Sequence, residues 1–254
     1  MGAPSPAPCP CASLVREASD GADVCAIVVA GGSGERFGDP RGKQFVDLCG
    51  LPLMSWSIMA FDRAPSVARI VVVCAPDRAA QVEKDVLSEL SLAKPVTLAP
   101  SGATRQDSVR SGLDATPRDL PLVAVHDAAR PLIEVGQIEE CVAAVRADES
   151  LAGAILAARS VDTLKLVEGT TIVATPDRSF YWAAQTPQVF RRRVLLAAHK
   201  AAAYEDYQGT DDASLVERLG GKVRVVESTR DNIKITLPED LALAEATLER
   251  RLLT

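Results

Sequence analysis

The sequence predicts an α/β fold, a Rossmann-like, mostly parallel sheet flanked by helices. Three observations predict it. Short apolar runs bounded by turn residues recur along the chain, as in strands buried on both faces. Helix-like stretches separate those runs, which implies βαβ units. Alanine is abundant and aromatics are only 4% of residues, a composition that favours helices packed on a sheet over an all-β fold. With 254 residues, 47% hydrophobic and 24% charged, the chain can bury a large core without staples, and wholesale disorder is excluded.

In chain order, Pro4, Pro6, Pro8 and Pro10 alternate at the start, so residues 1–21 read as a flexible extension and 22–254 as a single domain. The first strand is Val24 to Ala30, ending in Gly31-Gly32-Ser33-Gly34. Further strands are expected at Arg69 to Cys74, Val96 to Ala99, Leu122 to Val125 and Ala154 to Ala157. Helices are expected over Arg78 to Leu90, Ser108 to Asp114 and Ile138 to Ala147. From about 159 to 185 the pattern changes. Lys165 to Val167 and Thr171 to Ala174 flank a Glu-Gly-Thr-Thr turn and read as an extended arm. Phe180, Tyr181, Trp182 and Phe190 follow, four of the chain's ten aromatics, either as a local core cluster or as an oligomer interface. Lys234 lies in a short apolar stretch that reads as a strand, pointing away from Ile233 and Ile235. Pro238 to Leu241 reads as a helix start.

The net charge of −6 argues against a nucleic-acid coat protein or a polybasic membrane binder, so neither partner is expected. A few local cations can still dominate a cleft for an anionic small substrate. No run reaches the roughly 18 apolar residues of a membrane span. The first residues lack the basic start and apolar core of a signal peptide, so the chain reads as cytoplasmic. Six cysteines form no C-x-x-C pair, and Cys25 and Cys74 read as small buried side chains. Two histidines, His126 and His199, make a histidine metal site or a Ser-His-Asp triad a poor reading.

The glycine loop fails two familiar tests. The P-loop pattern finds Phe37 where its first glycine belongs and Gln44 where its hydroxyl belongs. The dinucleotide fingerprint accepts Gly32 and Gly34 but meets Phe37 at its last glycine. What remains is a turn whose N–H groups can approach phosphates, with Arg36 and Lys43 to wrap a polyphosphate. A surface loop with solvated cations explains the same residues. In His126-Asp127-Ala128-Ala129-Arg130-Pro131, Asp127 ends a strand, where a carboxylate can hold a metal ion or a ribose hydroxyl. His126 reads as packed or hydrogen-bonded, and Arg130 either anchors the loop or meets the ligand. Gly102 to Ser108, GATRQDS, supplies a turn glycine, the cation Arg105 and small hydroxyls, which suit a base edge and a phosphate. A helix cap at Thr104 is an equally natural reading.

Taken together, AIVVAGGSGERFG at 26–38 with Lys43-Gln44, ATRQDSV at 103–109, VHDAARP at 125–131, Asp162-Thr163, TPDRS at 175–179, AQTPQVF at 184–190, TDDASL at 210–215 and DNIKIT at 231–236 resemble the 2-C-methyl-D-erythritol 4-phosphate cytidylyltransferase family. The resemblance spans about residues 24 to 250. It implies a protruding β-arm used in dimerisation, a homodimer, and transfer of CMP from CTP to a sugar-alcohol phosphate with Mg²⁺. The products would be 4-diphosphocytidyl-2-C-methyl-D-erythritol and pyrophosphate, in the non-mevalonate isoprenoid pathway.

By the same resemblance, Arg36 and Lys43 would stabilise charge on the phosphates; Gly32, Gly34, Arg105 and Arg130, from the loops read above, are counted at the substrates beside them. Ala30, Gly31, Gly102 and Ser108 would hold the cytosine. Asp127 and Ala128 would meet the ribose side, Asp127 near the metal. Thr163 and Arg178 would reach the sugar phosphate from the partner's arm, and Thr186 and Lys234 would complete that pocket. Ala103 stands where some relatives carry a carboxylate and is not counted as a contact. The chemistry suits this composition, because a phosphate monoester with a second pKa near ~6 is already anionic at pH 7 and needs no general base. The reaction asks for in-line positioning and charge neutralisation. Alternatives are a cytidylyltransferase for ribitol 5-phosphate, an NAD-dependent oxidoreductase and a catalytically dead nucleotide-binding protein.

Overall fold

The computed structural model describes residues 21–32, 37–39 and 42–252. The N-terminal extension, apart from Gly21, and the loop residues Gly34 and Arg36 lie outside the described residues.

The apolar runs form a seven-stranded sheet. Its strands are β1 (Val24–Val29), β4 (Val67–Cys74), β5 (Val96–Pro100), β6 (Leu122–Asp127), β7 (Leu151–Arg159), β10 (Trp182–Arg191) and β11 (Lys222–Glu227). Two hairpins supply the rest, β2 (Asp47–Leu48) with β3 (Leu51–Pro52), and β8 (Leu166–Glu168) with β9 (Thr171–Ala174). The spatial order is β11-β7-β10-β6-β1-β4-β5. Every neighbouring pair is parallel except those of β10, which runs antiparallel to both β6 and β7.

Alternation along the strands divides the core in two. Val24, Ala26 and Val28 of β1 pack with α1 (Leu53–Arg63), α2 (Ala79–Asp85) and α4 (Val135–Arg146). Cys25 and Ile27 face the other way, onto α3 (Arg105–Asp114), α5 (Arg192–Tyr204) and α6 (Asp212–Arg218). Both faces of the central strands are therefore buried, which is why they read as continuous apolar runs. A third cluster joins Phe37, Leu48, Leu53, Leu132 and Ile235 to Ala244 and Leu248 of α7 (Glu239–Leu252). It pins the end of the glycine loop and the segment carrying Lys234 to the same apolar knot.

Several expected boundaries move. The helix expected over Arg78 to Leu90 is confined to α2 between short 3-10 turns. It stops at Val86, whose backbone leaves the helical region (φ −122°, ψ −64°) while its side chain is fully buried. Helix α3 starts three residues earlier than expected, because Thr104 and Asp107 form a reciprocal capping box. The strand expected around Lys234 does not form. Residues 233–236 run beside a loop, and Ile235 donates its N–H to the Ala129 carbonyl (2.8 Å).

The arm is present as the β8–β9 hairpin, turned at Gly169 with φ +58°. Its Leu166, Val167, Ile172 and Val173 are each more than half exposed. The aromatic cluster splits. Phe190 is core, whereas Phe180 is 81% exposed and Tyr181 nearly half exposed. Trp182 lies under the Arg159 guanidinium (4.2 Å). A local core thus explains Phe190 and leaves Phe180 and Tyr181 outside it. Cys25, Cys74 and Cys141 are buried free thiols. Among the described residues, no helix is long and apolar enough to cross a membrane.

Candidate active site

The chain leaves β1 towards β4 on one side and has β6 on the other. A crevice therefore opens at the carboxyl ends of β1 and β6, where open α/β sheets bind ligands. The structure has a cleft of about 670 Å³ there. Gly31 and Gly32 form one wall, Gly102 to Arg105 a second, and Asp127, Lys43 and Lys234 the base and far side.

The two walls meet closely. A Cβ on Gly31 would lie 2.2 Å from Cβ of Ser101, and one on Gly102 would lie 2.3 Å from Cβ of Asp107. Only glycine permits that approach. Gln44 holds the turn from behind, its Nε2 donating to the carbonyls of Ala30 and Gly32 (2.8 Å each). The Gly102 N–H donates to Ser108 Oγ (3.1 Å), which donates in turn to the Thr104 carbonyl (2.9 Å).

Charge is concentrated on Asp127. Its Oδ1 accepts from Arg105 Nε (3.0 Å) and its Oδ2 from Lys234 Nζ (2.6 Å). Burial works against the charge on Asp127. Arg105, then Lys234, outweigh it and hold the carboxyl well below the usual carboxylate range. Arg105 also donates through Nη1 to Asp212 Oδ2 (2.8 Å). Burial opposes the guanidinium charge too, but Asp212 and Asp127 together raise the Arg105 pKa above its ordinary value. Lys43 donates to the Ile235 carbonyl (2.6 Å), which ties it to the segment that carries Lys234.

Beneath the strand end, a hydrogen-bond chain sets the His126 tautomer. The Asp127 N–H donates to Thr186 Oγ1 (3.1 Å), and that hydroxyl donates to His126 Nδ1 (3.0 Å). The remaining ring proton sits on Nε2 and goes to the Arg130 carbonyl (3.1 Å). Burial pushes the His126 pKa down to about 4, with Asp127 partly opposing it.

Of the residues expected at the site, the cleft brings together Gly31, Gly32, Lys43, Gly102, Arg105, Ser108, Asp127 and Lys234. Ala30 instead faces a smaller cavity of about 310 Å³ behind the glycine turn. Three others make contacts within the fold. Ala128 is fully buried, its N–H on the Val29 carbonyl (3.0 Å) and its carbonyl accepting from Ser57 Oγ (3.3 Å). Thr186 is the buried brace just described. Arg130 anchors the loop by donating to the Asn232 carbonyl (2.7 Å) and the Ala184 carbonyl (3.5 Å). Thr163 and Arg178 are exposed on the arm, and among the described residues neither lines the cleft.

Sequence reasoning gave no role to Gln44, Asp212 or Asn232. Asn232 is fully buried and donates to Gln185 Oε1 and the Thr186 carbonyl, tying the Lys234 segment to β10. Each lies inside a motif quoted above, but an amide or carboxylate buried behind a ligand-facing residue leaves no pattern of its own.

A family model described as "IspD: 2-C-methyl-D-erythritol 4-phosphate cytidylyltransferase" matches residues 24–250. A 2-C-methyl-D-erythritol 4-phosphate cytidylyltransferase from Syntrophotalea carbinolica is 42% identical over 227 residues, covering 89% of this chain and 96% of that protein. Two solved structures share the fold. A 4-diphosphocytidyl-2C-methyl-D-erythritol synthase from Anaerococcus prevotii superposes with TM-score 0.78 at 27% identity, over 89% of this chain and 96% of that one. A 2-C-methyl-D-erythritol 4-phosphate cytidylyltransferase from Thermus thermophilus does so with TM-score 0.71 at 31% identity, over 88% and 98%.

Two predictions follow from this geometry. Gly31→Ala forces the glycine turn away from Ser101 and weakens CTP binding about tenfold or more, on the scale of a small overpacking penalty. Ser101→Gly in the same chain restores it. An unweakened Gly31→Ala, measured by calorimetry, means the close approach does not shape the cleft. The second concerns acid. The unfolded chain protonates His126 near pH 6.5 and the folded chain near 4, so this contribution is complete above 6.5 and lost between 6.5 and 4. Urea unfolding should show a loss of about 3 kcal/mol from this group across that window. The stability gap between wild type and His126→Gln should narrow as pH falls from 7 to 4. A gap that stays constant assigns the acid sensitivity elsewhere.

Proposed function

The chain belongs to the 2-C-methyl-D-erythritol 4-phosphate cytidylyltransferase family, and from that premise we propose how its residues perform the reaction. It is a nucleotidyltransferase that moves CMP from CTP to 2-C-methyl-D-erythritol 4-phosphate and releases pyrophosphate, a step of the non-mevalonate pathway. The relatives above are named for that acceptor or its cytidylated product, and ribitol 5-phosphate finds no support among them. The observation that carries the residue assignment is the cleft at the β1–β6 switch point, where Lys43 and Lys234 converge across from a backbone-lined glycine wall.

Cytosine would lie against the turns at Gly31 and Gly102, where the two glycines leave backbone groups to meet it. The triphosphate lies along the glycine turn towards Lys43, with Arg36 the further cation expected from the sequence. The acceptor phosphate attacks the α-phosphorus in line. It brings its own negative charge, and Lys234 stands where that charge must be met. No proton has to be removed from the nucleophile, so a site whose histidine is buried and neutral suffices.

Enzymes of this family use a divalent metal. Among the described residues no three His, Cys, Asp or Glu side chains gather to hold one. Asp127 alone fits the pattern in which Mg²⁺ takes one or two carboxylates and completes its shell with substrate phosphates and water. Asp127 would hold Mg²⁺ jointly with the triphosphate, and the ion would supply neutralisation of phosphate charge.

The arm completes the assembly. Its exposed apolar hairpin, with Phe180 and Tyr181, suits a second copy of the chain, and Thr163 and Arg178 then serve the partner's acceptor pocket in a homodimer. The cytoplasm is the compartment in which the four described free thiols stay reduced.

The direct test is pyrophosphate release with CTP and Mg²⁺, offering methylerythritol phosphate and ribitol 5-phosphate in parallel with a no-acceptor control. Release is expected with the first alone, and release only with the second would overturn the acceptor. Lys43→Ala should lower turnover roughly 10²–10³-fold, equivalent to about 3–4 kcal/mol, at nearly unchanged CTP affinity. Arg178→Ala should instead raise the acceptor KM. Subunit exchange between these two variants should recover activity, because one site of each hybrid dimer is intact. No recovery in verified hybrids counts against an arm that serves its partner.

A further inference from the structure

Arg105 lies between two carboxylates of different character. Asp127, with 11% of its side chain exposed, lines the cleft. Asp212, at the start of α6, has 1% exposed and sits behind the guanidinium. A carboxylate this buried is retained only when its charge is compensated. Each of its oxygens has one partner: Arg105 Nη1 donates to Oδ2 (2.8 Å), and His199 Nε2 donates to Oδ1 (3.2 Å). His199 is itself buried on α5, so Asp212 is held from behind while it holds Arg105.

The guanidinium fork can grip one carboxylate through two parallel bonds. Here it does not. Its Nη1 is directed to Asp212, and its contact with Asp127 is the single bond from Nε. We infer that Asp212 is a positioning residue for Arg105, dividing the guanidinium between two carboxylates so that Asp127 stays available to a divalent cation. The inference rests on the nucleotidyl-transfer reading above. Lys234 already holds Oδ2 of Asp127 (2.6 Å), so without the Asp212 charge Arg105 turns fully onto the carboxylate, adds a second bond to it, and leaves the cation to compete with both side chains. His199 orients Asp212 and acts in the same direction at one further remove.

The test is the Mg²⁺ concentration giving half-maximal CTP binding, followed by calorimetry without acceptor, so that no turnover enters the measurement. Asp212→Asn keeps the shape and removes the charge. It should raise that concentration about tenfold, the low end of what partners of metal-binding residues contribute. In an Arg105→Ala background the same substitution should add no further shift, because the residue it acts through is gone. A folded Asp212→Asn protein with unchanged half-saturation overturns the inference. An equal shift in both backgrounds also overturns it, since Asp212 would then act by another route. Thermal unfolding of each variant separates loss of fold from loss of positioning. If Asp212→Asn does not fold, His199→Gln takes its place, with a smaller rise expected and no rise overturning the inference. Wild-type protein that binds no CTP, with or without Mg²⁺, overturns the functional reading itself and this inference with it.

Discussion

A carboxylate at the inner end of a buried strand has to be compensated, and the architecture around the cleft follows from compensating Asp127. The two cations come from distant parts of the chain. Arg105 opens α3, and Lys234 lies on an irregular segment more than a hundred residues later. Each needs its own fixture. The Thr104–Asp107 capping box sets where α3 begins, so Arg105 emerges at the cleft wall. Burial of Ile235 in the third apolar cluster holds Lys234 on the opposite side. Asn232 and Arg130 then tie that segment to β10 and to the loop after β6.

The glycine wall obeys a steric constraint. Gly31 lets its turn approach Ser101 closer than a side chain allows, Gly102 does the same for its own loop against Asp107 of α3, and Gln44 captures the carbonyls of the turn. The wall is therefore built from backbone on its ligand side and from an amide on its far side. Such a surface can read a flat base by shape and backbone hydrogen bonds while cations stand further along for the phosphates. The division suits a reaction whose nucleophile arrives charged. The demand falls on geometry and countercharge, and the buried His126 is spent on holding the strand end.

The arm follows a different logic. Its hairpin is polar and apolar without a core of its own, and its apolar residues remain exposed in the single chain. Two-stranded ribbons are marginal alone, and a second surface resolves the exposure. Thr163 and Arg178 lie in the segments flanking that ribbon, exposed and outside the cleft lining.

The strands buried on both faces were legible in the sequence because their apolar runs are continuous, and the order of motifs identified the family. Gly31, Gly102, Lys43 and Asp127 were legible as candidates for the cleft because they follow strands, whereas Lys234, read into a strand that does not form, was picked out by its motif. The antiparallel insertion of β10 between β6 and β7 was not legible, since strand order depends on contacts far apart in the chain. The same holds for the contacts that Ala128, Thr186 and Arg130 make within the fold, which bind residues far apart in the chain. A backbone group or hydroxyl looks alike in sequence whether it meets a ligand or a neighbour. The sequence by itself determined the layers, the glycine loops and the charges available to the cleft. Only the tertiary structure decided which of those charges are shared, since hydrogen bonds such as that between Arg105 and Asp212 join residues a hundred positions apart.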